Sequence, residues 1–272
     1  MQNLTHRTFS ALIAISIFTI IMYFFAESGV YAMVLFTVMR GSYEMSRMFF
    51  KKTYPRFVPW FLMFICVSTF VLCTTDQFRA LAPIVILFAF VAIIFSAIFL
   101  HKKFEQIESV LNYITLSNLS LIYTAVIPLS TAWMLYQPHG LKWFLCLLAV
   151  VFTGDIGAYI AGTLFGKTKI APLLSPNKSL QGAVGGLLFS TIAACSFSLV
   201  LDHVPLHILA VCGFFGGLFG QVGDFFESLI KRVAGVKDSG SIMPGHGGVL
   251  DRLDGVLLAA PLFYIAAYYL GL

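Results

Sequence analysis

Three features point to an all-α protein, a polytopic transmembrane helical chain of about nine spans. Of its 272 residues, 59% are hydrophobic and only 11% are charged, whereas a soluble domain carries about 25% charge. The apolar residues gather in runs close to the ~20 that a helix needs to cross a bilayer. The lysines and arginines sit in the short stretches between those runs, where positive charge sets topology. That placement accounts for the net charge of +5 without a nucleic-acid partner.

The runs follow in order along the chain. Thr8 to Phe25 is the first, and the membrane segments after it make it a retained anchor rather than a cleaved signal peptide. Val30 to Met39 is a short second run that either ends there or continues toward Phe50. The next four are Phe57 to Thr74, Ala80 to Leu100, Tyr113 to Tyr136 and Leu141 to Phe165. Leu180 to Leu201, Val204 to Ser228 and Leu253 to Leu270 complete the nine. With a cytoplasmic N terminus, this count places every one of the 17 lysines and arginines except Arg79 and Lys142 on the cytoplasmic side. No internal repeat or long linker divides the chain. Residues 1–140 read as a scaffold of about five spans and residues 141–272 as a C-terminal region of the same membrane domain that carries most of the polar residues calling for a chemical reason, the candidate catalytic region. The basic, aromatic stretch from Arg40 to Arg56 reads as a topology determinant ahead of a surface for anionic lipid headgroups. Cys66, Cys73, Cys146, Cys195 and Cys212 all lie in apolar runs, without metal-ligand spacing, and read as buried free thiols.

The polar residues that need a reason concentrate between Ser228 and Asp254 and just upstream. If Val222 to Arg232 is helical, Asp224, Glu227, Ser228 and Lys231 share one face. Asp251 and Asp254 share a face if a helix begins near Leu250. Carboxylates from two separate elements suit a hard cation such as Mg2+, which takes oxygen ligands and keeps substrate phosphates in its shell. Lys231, Arg232, Lys237, His246 and Arg252 would neutralise phosphate oxygens, while Gly245, Gly247 and Gly248 would let backbone N–H groups approach an anion. Asp155 stands inside the sixth run, where a charge must face protein or water. It is either a helix-packing carboxylate or part of a polar cleft, and the small residues Gly154, Gly157 and Gly162 around it permit close helix approach. Ser175 or Asn177 would cap the seventh helix, leaving N–H groups for a phosphate beside Lys178. The glycines from Gly216 to Gly223 would either pack tightly or break the eighth helix. Glu227, Asp238 and Asp254 serve as supporting carboxylates.

Taken together, Ser228, Lys231-Arg232, Lys237-Asp238-Ser239-Gly240, Pro244-Gly245-His246-Gly247-Gly248, Asp251-Arg252 and Asp254 resemble the signature of the phosphatidate cytidylyltransferases, or CDP-diacylglycerol synthases. The resemblance extends to Gly223 to Glu227, Ser175 to Gly182 and Gly154 to Tyr159, and so covers about the last 120 residues. It departs from the family pattern at Gln181, where an acidic residue is usual, and at Ser179 and Ile156, where Thr is frequent.

The resemblance implies that CTP and phosphatidic acid give CDP-diacylglycerol and pyrophosphate. Asp224 and Asp251 would then hold Mg2+, with a second cation left open. Lys231 and Lys237 would act in catalysis, and Ser175, Lys178, Ser179, Arg232, His246, Gly247, Gly248 and Arg252 in substrate binding. The resemblance also implies a homodimer, and a bacterial inner membrane is expected. A cytidylyltransferase for another lipid phosphate is the nearest alternative. A cation-coupled secondary transporter is a distant one, because the polar residues cluster at one end of the spans and no repeat is present.

Overall fold

The computed structural model describes residues 2–50, 54–104, 106–242 and 247–270, with the side chains of residues 2–15 and 17 outside that description. In chain order the elements are α1 (Gln2–Phe49), α2 (Val58–Thr74), the short α3 (Asp76–Arg79), α4 (Ala82–Leu100), α5 (Ile107–Leu121), α6 (Ile127–Leu135) and α7 (Gly140–Phe165). Two strands, β1 (Lys169–Ala171) and β2 (Ser175–Ser179), precede α8 (Leu180–Ser196), α9 (Leu206–Ala234) and α10 (Leu250–Leu270). Among the described residues seven helical segments are long and apolar enough to span a bilayer, and α2 is a shorter apolar helix. The nine expected runs map onto these eight because the first two share α1. The chain is an all-α integral membrane protein.

It forms two compact units, one of Met1–Ala132 with Val236–Asp251 and one of Trp133–Gly235 with Arg252–Leu272. The loop Val236–Asp251, expected within the C-terminal region, groups with the first unit.

In the first unit, α1 leaves helical geometry at Ala26 (φ 44, ψ −120). Gly29 makes that bend possible, since a Cβ there would lie 2.5 Å from Ile21 Cγ2. Beyond the bend the helix runs to Phe49, so the second run continues toward Phe50 and Arg40 and Arg47 are helical. Val30, Val34, Val38 and Met45 give it a buried face at helical spacing. α2 packs on α1 and buries Leu62, Cys66, Phe70 and Cys73. Lipid is as apolar as these side chains, so packing and hydrogen bonds rather than water exclusion hold the helices together. The Tyr31 and Thr74 hydroxyls meet at 2.9 Å across this pair. A π-helical turn, Ile122–Val126, joins α5 to α6, and from it Thr124 donates to Cys66 Sγ at 3.8 Å.

In the second unit, α7, α8 and α9 approach closely through small residues. A Cβ on Gly185 would sit 2.2 Å from that of Ala161, and one on Gly217 2.5 Å from Ser190 Oγ. Interhelical hydrogen bonds follow from that proximity: Ser190 Oγ donates to Val150 O at 2.8 Å, and Gln221 Nε2 to Ala183 O at 2.9 Å. The glycine run of α9 therefore packs; the helix is continuous from Leu206 to Ala234. Cys66, Cys73, Cys146 and Cys212 are buried, Cys195 is partly buried, and all five are free thiols.

Candidate active site

The second unit holds a cavity of about 480 Å³ between α7, the β1–β2 hairpin, α8 and α9. Asp155, Tyr159, Asn177, Lys178, Gln221, Asp224 and Phe225 are among its lining residues. Each wall has a local cause. β1 and β2 pair antiparallel, with Lys169 opposite Ser179 and Ala171 opposite Ser175, a two-stranded element that was not expected. Strand pairing takes up Ser175 to Ser179, and α8 begins at Leu180, where the seventh run was expected to start. Neither Ser175 nor Asn177 caps it: the N-cap is Ser179, whose Oγ accepts from Gly182 N at 3.2 Å. Gln181 turns back on the hairpin, its Oε1 accepting from Lys167 N at 3.0 Å and Thr168 N at 3.2 Å. An amide oxygen does here what a carboxylate would do for two backbone donors, which gives the departure at this position a structural role.

The hairpin delivers Lys178 to α9. Its ammonium pairs with Asp224 Oδ2 and stands 4.2 Å above the Phe225 ring, so one cation meets a charge and a π-face together. Ser228 Oγ donates to Asp224 Oδ1 at 3.5 Å, and Lys231 Nζ donates to buried Glu227 Oε2 at 2.6 Å. The expected face of Asp224, Glu227, Ser228 and Lys231 is thus present, paired internally one turn apart. Arg232 Nε reaches Leu174 O in the hairpin turn at 3.4 Å. Asp155 interacts electrostatically with Asp224 and Lys178, and Asp254 with Asp224, Asp155 and Lys231. Four carboxylates, Asp155, Asp224, Glu227 and Asp254, and two lysines therefore share one region of this unit. Arg252 is exposed in the first turn of α10.

The signature loop belongs to the first unit. Asp251 Oδ2 accepts from Ser239 N, Ser239 Oγ and Gly248 N, each at 2.8 Å. Gly247 has φ +80, and a Cβ there would fall 2.4 Å from Asp251 Oδ2; only glycine tolerates that backbone without strain. The backbone N–H of Gly248 is directed at this internal carboxylate. Lys237 and Asp238 are exposed on the loop. His246 and Gly245 lie outside the described residues.

One acid of this loop comes from far away in sequence. Glu44 of α1, 3% exposed, directs Oε2 at Val249 N (2.9 Å), Leu250 N (3.3 Å) and Ser239 Oγ (3.4 Å). Its other oxygen lies 3.5 Å from Arg40. A Cβ on Gly240 would come within 2.6 Å of Glu44 Oε1, and one on Gly248 within 2.4 Å of Oε2. Those two motif glycines make room for a carboxylate 196 and 204 positions earlier in the chain. The sequence signal was a lone acid among the basic residues from Arg40 to Arg56, which nothing local ties to the loop.

The donor set around Asp224 is all oxygen, as a hard divalent cation requires, and Lys178 and Lys231 supply the compensating charge. Among the described residues no three acidic, His or Cys side chains converge into a group that could hold a metal ion. Carboxylate oxygens are the ligand type magnesium takes, and Asp224 is here paired with Lys178.

A helical unit with a lysine and two carboxylates lining one cavity defines an integral membrane protein with a polar site. The chain belongs to the cytidylyltransferase family, whose model matches residues 5–270. It is 45% identical over 130 residues to a phosphatidate cytidylyltransferase of Staphylococcus saprophyticus, a stretch that is 47% of this chain and 50% of that protein. It is 42% identical over 127 residues to the protein of the same name from Bacillus subtilis, 46% of this chain and 47% of that one. Identity to the Staphylococcus aureus phosphatidate cytidylyltransferase is also 42%, over 130 residues, 47% of this chain and 50% of that one. The matched stretch thus spans about half the length of these curated relatives.

Proposed function

We propose that this protein transfers a cytidylyl group from CTP to phosphatidic acid, giving CDP-diacylglycerol and pyrophosphate. The observation that carries the reading is the second-unit cavity, in which Lys178 holds Asp224 beside Asp155 in a chain of the cytidylyltransferase family. A lipid phosphate oxygen attacks the α-phosphorus of CTP. The new P–O bond forms as the bond to the α–β bridging oxygen breaks, and that electron pair leaves with pyrophosphate. The attacking phosphate is already ionised at neutral pH, so no strong base is needed.

Both reactants are polyanions, so the protein's task is to position them and offset their charge. Lys178 is placed to exchange its bond to Asp224 for one to a phosphate oxygen, and Phe225 holds the ammonium in the cavity while it does so. Lys231, Arg232, Lys237 and Arg252 are the further cations proposed to meet phosphate, with Ser175, Ser179, His246, Gly247 and Gly248 contributing to substrate binding. Asp224 and Asp251 are the carboxylates proposed to serve magnesium, which when bound neutralises phosphate oxygens; Asp155 and Asp254 support the charge around Asp224. A bacterial inner membrane, a cytoplasmic N terminus and a homodimer complete the proposal. The bacterial relatives support the inner membrane; the distribution of lysine and arginine supports the cytoplasmic N terminus when α1 crosses once on each side of the Ala26 bend; the homodimer follows from the family resemblance.

The test is pyrophosphate release by purified protein in detergent with CTP and magnesium, run against a panel of lipid phosphates. Phosphatidic acid is the expected preferred acceptor. Turnover confined to an ether-lipid or polyprenyl phosphate would move the assignment to another lipid phosphate, and no turnover with any of them would end it.

A further inference from the structure

We infer that Glu44 is a positioning residue for the reaction: it caps the start of α10 from a different helix and so fixes the loop that holds Asp251 in the first turn of α10. This rests on the proposal that Asp251 serves the chemistry. The first N–H groups of a helix have no partner within it and carry the positive end of its dipole. Usually a Ser, Thr, Asp or Asn immediately before the helix accepts them. Here Val249 precedes α10 and has no acceptor, and Glu44 supplies one at 2.9 Å from Val249 N and 3.3 Å from Leu250 N.

The same Glu44 oxygen lies 3.4 Å from Ser239 Oγ, which donates to Asp251 at 2.8 Å. A hydroxyl has one proton to give, so Ser239 sits between two carboxylates and relates the position of one to the other. Ser239 N and Gly248 N then hold Asp251 from the two ends of the loop. The glycines carry the second, steric part of the argument. Any side chain at Gly240 or Gly248 would strike the Glu44 carboxylate, so loop and acid are shaped to each other. Arg40, one turn before Glu44 and 3.5 Å from it, offsets its charge.

The experiment is hydrogen exchange and steady-state kinetics on full-length protein in detergent, comparing wild type with Glu44→Gln, Glu44→Asp and Asp251→Asn. Exchange is measured without metal or nucleotide. Glu44→Gln keeps the shape and removes the charge. It is expected to speed exchange of the Val249 and Leu250 amides by roughly tenfold, the effect of weakening a hydrogen bond to a charged group. The change should spread to Ser239 and Gly248 and leave amides 256–268 of α10 unaltered. In the same variant kcat should fall by about tenfold while KM for phosphatidic acid holds, and Glu44→Asp should recover part of both effects. Unaltered exchange, faster exchange throughout the helices, or a localised change with wild-type kcat would each overturn the inference. Asp251→Asn separates this from the underlying proposal. If that variant turns over like wild type, the role of Asp251 fails whatever Glu44 does. If it is inactive while Glu44→Gln is normal, only the inference fails.

Discussion

At the scale of single residues, the pairing of Lys178 with Asp224 sets the electrostatics of the cavity. Remove the ammonium and Asp224 faces Asp155 and Asp254 with less compensation, and on the proposed function the substrate phosphate would lose a cation. Lys178→Ala is therefore expected to lower kcat by about 10²-fold or more, the usual effect of deleting a group that stabilises transition-state charge, measured as pyrophosphate release per folded molecule. Gln181 makes the opposite case. Because its oxygen accepts from Lys167 N and Thr168 N, Gln181→Glu should fold normally. Gln181→Leu leaves two backbone donors without that acceptor and should lower stability by about 1–3 kcal/mol, read from the thermal midpoint in detergent. The shared face of Asp224, Glu227, Ser228 and Lys231 was legible from spacing alone, since helical periodicity is local. Glu44 was not, because its partners are Ser239, Val249 and Leu250, and no pattern within a helix turn reports a bond across that much chain.

At the scale of elements, hydrophobic run length located the helices because a bilayer imposes a minimum length on every span. It could not decide whether α1 ends at Met39. Val38, Met45 and Met48 continue the buried face into the basic stretch, and the helix follows them. Nor could it choose between packing and breakage for the α9 glycines; the partner surfaces on α8 decide that. The hairpin of Lys169 to Ser179 escaped because its strands are short and β2 contains Pro176, which lacks an N–H and is tolerated only at an edge or strand end.

Two predictions belong here. Gly185→Val forces a side chain against Ala161 of α7 and should destabilise the second unit by about 1–3 kcal/mol, as overpacking does, seen as a lower unfolding midpoint. Ala26→Gly relieves a left-handed backbone at the α1 bend and should raise that midpoint, by an amount of about 1 kcal/mol. A fall on Ala26→Gly would mean that the bend is not strained.

For the whole molecule, the proposed function would join a membrane setting to an anionic lipid substrate: the acyl chains would stay among the apolar helices while the phosphate met lysine and carboxylate at the cavity. The central claim is that the bond broken in CTP is the one between the α- and β-phosphates, and that the α-phosphate passes to lipid. Separate reactions with CTP labelled at the α- or the γ-phosphate, phosphatidic acid and magnesium, followed by phase extraction, measure this directly. The account predicts α-label in the lipid phase, γ-label as aqueous pyrophosphate in equal amount, and neither transfer with Asp224→Asn. Release of γ-label as inorganic phosphate, α-label left wholly in the aqueous phase, or wild-type transfer by Asp224→Asn would contradict it.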